Sequence, residues 1–327
     1  MKKKLADYHP PKGLANRHLQ TILSTTGPRR FWVEKRARRL LEKSNPKIVT
    51  TKDNVRLQVW QTPSTEKGHV ILLHGWEGSA RSLYMLSLGN RLHELGYQVS
   101  RLNFRDHGNT RHLNREPFTS TRHQEVGDAI RLILEESTPP GKRQNNYLVG
   151  FSLGGNFALR IAIDASELTN SLDKVIAVCP LINPAATVES LSNSIIYGRY
   201  FTRRWKSGLE AKLMLYPELK ALEKVISGKN LTEMHYHFAP HFSEYPDCNR
   251  YLSAYSLTGN RLQALQVNSH IIASQDDPII NIEDIRQIHT PPCLQIEITD
   301  KGGHCGYLQN YKLESWLDDR LVELIDG

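Results

Sequence analysis

Residues 145–156 read NNYLVGFSLGGN, a short apolar run that breaks into a glycine-flanked serine and a second apolar stretch. Gly150, Ser152 and Gly154 fall on the pattern Gly-x-Ser-x-Gly, in which the glycines permit a tight strand-to-helix turn that pushes a serine hydroxyl forward in a strained conformation. In a chain of 327 residues the bare pattern arises by chance roughly one time in ten, given ordinary glycine and serine frequencies. Its setting narrows that. The motif follows an apolar strand pattern, and the next residues place Phe157, Ala158, Ile161 and Ala162 on one helical face. Gly155 lets that helix approach the sheet. Ser152 is therefore the candidate nucleophile.

Outward from this turn, Val-, Ile- and Leu-rich runs alternate with helical patterns, as in a mostly parallel sheet covered on both faces. The expected strands are VRLQVWQ from Val55, HVILLH from His69, YQVSRLNF from Tyr97, NNYLVGF from Asn145, KVIAVC from Lys174, SHIIAS from Ser269 and CLQIEIT from Cys293. Leu88, Leu92 and Leu95, then Val126, Ile130 and Leu134, recur at helical spacing, with Gly96 as a stop signal. A last helix is expected over Leu313, Trp316, Leu317, Leu321 and Leu324. From Pro184 to Leu265 no core strand is legible, and the interval reads as a helical insertion able to arch over the strand ends as a lid. Its aromatics, Tyr197, Tyr200, Phe201, Trp205, Tyr236, Phe238, Phe242 and Tyr245, suit either an apolar substrate pocket or the insertion's own core. The expected organisation is a basic arm over 1–54 packed on or near the core, an α/β core over 55–183 and 266–327, and a lid over 184–265.

A serine hydroxyl is nearly inert near neutral pH, so it needs a base and a group to orient that base. His304, in DKGGHCGY after the last strand, is the candidate base. Asp276 and Asp277, adjacent in ASQDDPII after the preceding strand, are the candidate acids, of which only one can take the imidazole proton in good geometry. An oxyanion would be met by the N–H of Leu153, the residue after the nucleophile, and by that of Trp76 in the loop HGWEGS. Asp106 and His107, in NFRDHGNT, are read as shaping the neighbouring loop. His235, His237 and His241 lack the helical His-x-x-x-His spacing with a completing acid that a zinc site requires, so no metal and no cofactor are expected. Cys305 reads as packing.

Composition is that of an ordinary globular protein, 39% apolar and 23% charged. The charge is uneven: the first fifty residues hold 13 Lys and Arg against three Asp and Glu, more than the chain's whole formal excess of +8. Such a segment can lean on an anionic membrane surface or simply be solvated, and without interleaved aromatics or a recognisable motif no nucleic-acid partner is expected. MKKK leads into polar LADYHPPKG rather than a secretory core, and no run approaches eighteen apolar residues. A cytoplasmic protein is expected. The four cysteines, Cys179, Cys248, Cys293 and Cys305, show no CxxC spacing and read as free thiols.

Taken together, ANRHLQTI near the start, HGWEGS, NFRDHG, GFSLGGN, DDP and GGHCGY resemble the α/β-hydrolase-fold family of bacterial esterase-like proteins and their eukaryotic lipase and medium-chain fatty-acid ester synthase relatives. The resemblance implies an α/β-hydrolase fold and a Ser-Asp-His triad on Ser152, Asp277 and His304. It also favours Asp277 over Asp276, since proline following the acid is frequent at this turn in related hydrolases. Two departures stand out: DHGNTRHLN replaces the more usual cysteine-containing glycine-rich loop, and the region before Val55 is unusually basic. The implied activity is hydrolysis of short- to medium-chain acyl esters through an acyl-enzyme. Acyl transfer to an alcohol by the same residues is the alternative, and a non-catalytic protein that binds a membrane or partner is the second.

Overall fold

The structure is a computed structural model that describes residues 4–5, 7–63, 65, 67–138, 141, 143–164, 168 and 171–327. Among these residues its centre is one sheet of nine strands: β1 (Lys4–Leu5), β2 (Asn45–Thr50), β3 (Arg56–Gln61), β4 (His69–Leu73), β5 (Gln98–Leu102), β6 (Asn146–Phe151), β7 (Lys174–Val178), β8 (Ser269–Ser274) and β9 (Leu294–Thr299). The order is β1-β9-β8-β7-β6-β4-β5-β3-β2, antiparallel where β3 meets β2 and β5 and parallel elsewhere. Every residue of β4, β5, β6 and β8 is buried, which is why β4, β6 and β8 read as largely apolar runs, whereas β5 buries Gln98, Ser100 and Arg101 as well. Neighbouring side chains leave on opposite faces. Val70 and Leu72 join one core cluster, whereas Ile71 and Leu73 join the other.

Helices α1 (Arg17–Thr25), α2 (Arg29–Arg36), α3 (Arg38–Lys43), α4 (Leu83–Glu94) and α13 (Trp316–Asp326) pack together on one side. On the other lie α5 (His123–Ser137) and α6 (Leu153–Asp164), with Phe157, Ala158, Ile161 and Ala162 all buried. Gly96, at φ +89°, ends α4 as a left-handed cap that a side chain would strain. The interval after β7 holds α7 (Pro184–Asn193), α8 (Tyr197–Leu215), α9 (Ala221–Ser227), α10 (Leu231–Phe242) and α11 (Cys248–Ala254), with no strand among the described residues; α12 (Ile282–Arg286) follows β8.

Three features depart from the pattern read in the sequence. The segment before Val55 contains a strand not read in the sequence: β2 pairs along its whole length with β3, and Arg29 is buried, donating to the carbonyls of Leu313 and Ser24. The closing helix starts at Trp316, not Leu313, because Leu313 sits at φ +57° in a turn and packs on Leu14 and Leu308. Within that helix Ile325, rather than Leu324, takes the fully buried position.

Candidate active site

The turn between β6 and α6 holds Ser152 at φ +54°, in the left-handed region that costs a side chain energy. Its neighbours leave no room for anything but glycine. A Cβ on Gly150 would lie 2.1 Å from the Gly154 carbonyl oxygen, and one on Gly154 would lie 2.5 Å from those of His74 and Leu73. Gly155 faces Pro180 and Ala177, with 3.1 and 3.3 Å to their Cβ atoms, so α6 can lie close on the sheet. The serine N–H is tied to the Val178 carbonyl at 2.8 Å. The hydroxyl is thereby held beyond the carboxyl ends of the parallel strands.

Two further strand ends converge on it. The loop after β9 brings His304 Nε2 to 2.9 Å from Ser152 Oγ, and the loop after β8 brings Asp277 Oδ2 to 2.8 Å from His304 Nδ1. Asp277 Oδ1 accepts the N–H groups of Ile279 and Ile280, at 2.8 and 3.0 Å, which fixes the carboxylate plane. Asp276 points elsewhere: it accepts the Gly303 N–H at 2.9 Å and the Ser274 hydroxyl. The adjacent acids thus divide, one against the imidazole and the other against the backbone of the loop carrying it. Burial favours the neutral imidazole, but the Asp277 charge and hydrogen bond outweigh it and hold the His304 pKa above its ordinary 6.5.

The loop after β4 approaches from the opposite side, where a Cβ on Gly75 would come 3.3 Å from that of Ser152. Its flanking amides are occupied. Gly75 N–H donates to the Tyr84 hydroxyl at 3.0 Å, and Glu77 N–H to His107 Nε2 at 3.3 Å. Among the described residues neither the Trp76 nor the Leu153 N–H has a protein acceptor. His74 is buried and neutral, with Nδ1 donating to Gly75 O at 2.7 Å and Nε2 accepting from Phe104 N–H at 3.1 Å; burial drives its pKa well below 6.5. His107 repeats the arrangement, and burial lowers it to about 4.

A cavity of about 550 Å³ opens over the serine, within the range of small-molecule sites. The insertion's aromatics divide between the two roles open to them. Tyr197, Tyr200, Phe201, Trp205 and Phe238 line the cavity, Phe242 and Tyr245 pack half-buried against the apolar cluster that the insertion shares with one face of the sheet, and Tyr236 is exposed. Trp76 stacks on Phe201, with ring centres 5.3 Å apart and planes 8° apart, so the insertion also rests on the β4 loop. Lys212 of α8, buried, reaches Asp106 Oδ1 at 2.8 Å and the Arg111 carbonyl at 3.0 Å, pinning the insertion to the loop after β5. Nothing in the sequence marks that lysine among its many neighbours.

His235 is buried in the aromatic cluster, donating to the Leu231 carbonyl from Nδ1, whereas His241 is exposed. They do not converge. Cys179, Cys305 and His304 do place three ligand atoms within 4.8 Å of one another. Both His304 nitrogens already have partners, so an ion there would compete with Ser152 or Asp277. The sequence reading also passed over Thr21 and Gln20 of α1, which lie against the His304 loop; ANRHLQTI was their signal, without a geometry to interpret it.

Residues 70–313 match the profile of the alpha/beta hydrolase family. The chain is 23% identical to "Putative esterase YheT" of Escherichia coli over 97% of its own length and 92% of that protein's. It is 22% identical to "Putative esterase slr0264" of Synechocystis, over 85% and 84% of the two. The fold is similar to that of the Pyrococcus furiosus esterase Pf2001, with a TM-score of 0.57 and 18% identity over 86% of this chain and 91% of that one. Among the described residues, no helix is long and apolar enough to cross a membrane.

Proposed function

Because the chain belongs to the alpha/beta hydrolase family, we propose that it is a serine carboxylesterase that hydrolyses short- to medium-chain acyl esters through an acyl-enzyme on Ser152. The observation that carries the reading is the unbroken relay of two hydrogen bonds, 2.9 Å from Ser152 Oγ to His304 Nε2 and 2.8 Å from His304 Nδ1 to Asp277 Oδ2, at the floor of an apolar cavity.

In the acylation half, Ser152 Oγ attacks the ester carbonyl carbon while its proton passes to His304 Nε2. Asp277 accepts the Nδ1–H, selects the tautomer that leaves Nε2 free to act as base, and stabilises the imidazolium. The carbonyl oxygen, now an oxyanion, accepts from the Trp76 and Leu153 amides, each worth about 2.7–4 kcal/mol of barrier if lost. Collapse breaks the bond to the alkoxy oxygen, which leaves as the alcohol with the proton from His304. Water then gives a proton to His304 and attacks the acyl carbon, and the second collapse releases the carboxylic acid and restores the Ser152 hydroxyl. The neutral imidazole is the active form, so burial of the site and the Asp277 charge act in opposite senses on the pH above which it is available.

The cavity mouth supports a substrate presented by a lipid surface. Ile22, Ile196 and Tyr200 line it yet are exposed, Phe31 and Trp32 are exposed next to the lining residue Arg30 in the sequence, and Arg199 lies exposed beside Tyr200. Apolar side chains among cations suit an anionic interface.

The test is a fluorophosphonate probe and a series of nitrophenyl esters of increasing chain length, run on wild type and S152A. Wild type is expected to label and to turn over the shorter esters, and S152A to do neither. Equal labelling of the two would end the proposal.

A further inference from the structure

We propose that helix α1 belongs to the catalytic machinery, with Thr21 as a positioning residue whose hydroxyl holds His304 in line with Ser152. This rests on the serine-hydrolase reading above, and concerns a segment that lies before the part of the chain matching the family profile.

The His304 backbone N–H donates to Thr21 Oγ1 at 2.9 Å. The hydroxyl's own proton goes to the Arg17 carbonyl at 2.8 Å, one turn back in the helix, which leaves its lone pairs aimed at His304. On the other flank, Asp276 accepts the Gly303 N–H at 2.9 Å. Two consecutive amides of the histidine loop are thus held, one by the β8 loop and one by α1, while the imidazole is held at both nitrogens.

The helix grips the rest of the loop as well. Gln20, wholly buried, accepts the Leu308 N–H at 2.7 Å and donates to the Leu14 carbonyl at 2.7 Å and that of Leu308 at 3.3 Å. A Cβ on Gly303 would meet the Arg17 carbonyl oxygen at 2.5 Å, and one on Gly306 that of Gln20 at 2.6 Å. Only glycine lets the loop lie this close to the helix backbone. The glycines of GGHCGY and the polar face of ANRHLQTI are therefore two halves of one contact. Helix α1 is itself fixed to the lid, where His18 Nδ1 and the Tyr197 hydroxyl are 2.9 Å apart.

A base displaced by an ångström can lose orders of magnitude in rate, so losing one of four restraints should be visible in turnover. Thr21 also lines the cavity, and the kinetic split separates that role from positioning. The experiment compares wild type, T21V, T21A, T21S and S152A as full chains, with kcat and KM on nitrophenyl butyrate, the fluorophosphonate labelling rate and thermal melts. T21V and T21A are expected to lose about tenfold in kcat and labelling rate with KM nearly unchanged, and T21S to retain both. Should T21V unfold, T21A and the labelling rate of its folded fraction carry the comparison. Wild-type turnover in T21V and T21A, an equal loss in T21S, or a loss confined to KM would each overturn the proposal. S152A distinguishes the levels: if it still labels, the hydrolase reading fails; if it is silent while T21V behaves as wild type, only the role of Thr21 fails.

Discussion

The division of labour between the adjacent acids can be separated by two single-atom changes. Asp277→Asn keeps an oxygen in the Oδ1 position, where it accepts the N–H groups of Ile279 and Ile280. That anchoring forces the new NH2 group into the Oδ2 position, 2.8 Å from His304 Nδ1. Two donors would then face each other unless the imidazole proton moves to Nε2, where it faces Ser152 as a donor and cannot act as base. The wrong-tautomer penalty in the serine-protease triad is about 10⁴ in kcat, or about 5.5 kcal/mol, and a loss of that order is expected here. The pH profile should move too. In wild type the Asp277 charge and hydrogen bond outweigh burial and hold His304 above 6.5, so turnover should rise with pH through a midpoint on the alkaline side of that value. With the charge gone, burial dominates and the residual activity should rise at lower pH. Asp276→Asn keeps an acceptor for the Gly303 N–H and loses only its charge. It should cost no more than about tenfold in kcat and about 1 kcal/mol of stability, the difference between a charge-assisted and a neutral hydrogen bond. The assay is steady-state hydrolysis of a short nitrophenyl ester from pH 5 to 9, roughly the span over which imidazole titrates, with thermal melts to establish that both variants fold. A larger loss in D276N than in D277N would refute the assignment.

Two other outcomes follow from features outside the nucleophile. Burial alone would raise the Glu297 pKa, but hydrogen bonds from His270 and Arg320 bring it down to about 2. The stability it contributes is present above the ordinary carboxylate range and lost as pH falls towards 2, so the destabilisation caused by E297Q in chemical denaturation should be largest near neutrality and vanish on acidification. On the lipid-surface reading, wild type should sediment with vesicles containing anionic lipid and not with neutral ones, and replacing the exposed Phe31 and Trp32 by Ser should weaken this without lowering turnover of a soluble ester. Equal sedimentation with both vesicle types, or none, would remove the lipid-surface reading.

The parts legible in the sequence are those dictated by local physics. β4, β6 and β8 are buried on both faces and read as apolar runs, and the turn at Ser152 needs glycines at fixed offsets. β2 was missed because its residues are almost all exposed and Pro46 interrupts any strand signal, so only its pairing with β3 defines it. The family resemblance favoured Asp277 over Asp276, but the residues alone could not, because periodicity does not supply the direction of two side chains that leave neighbouring residues. The role of α1 was hidden for a different reason: its polar face is satisfied by a loop nearly three hundred residues away.

That separation bears on how the molecule is made. The contact between Thr21 and His304 spans 283 residues, and closing so long a loop is among the slower steps available to a folding chain. A nascent polypeptide can complete the β6–α6 turn, with its serine in place, well before the partner of its first helix has been synthesised. On the serine-hydrolase reading proposed above, the hydroxyl then waits without its base until the two distant segments dock.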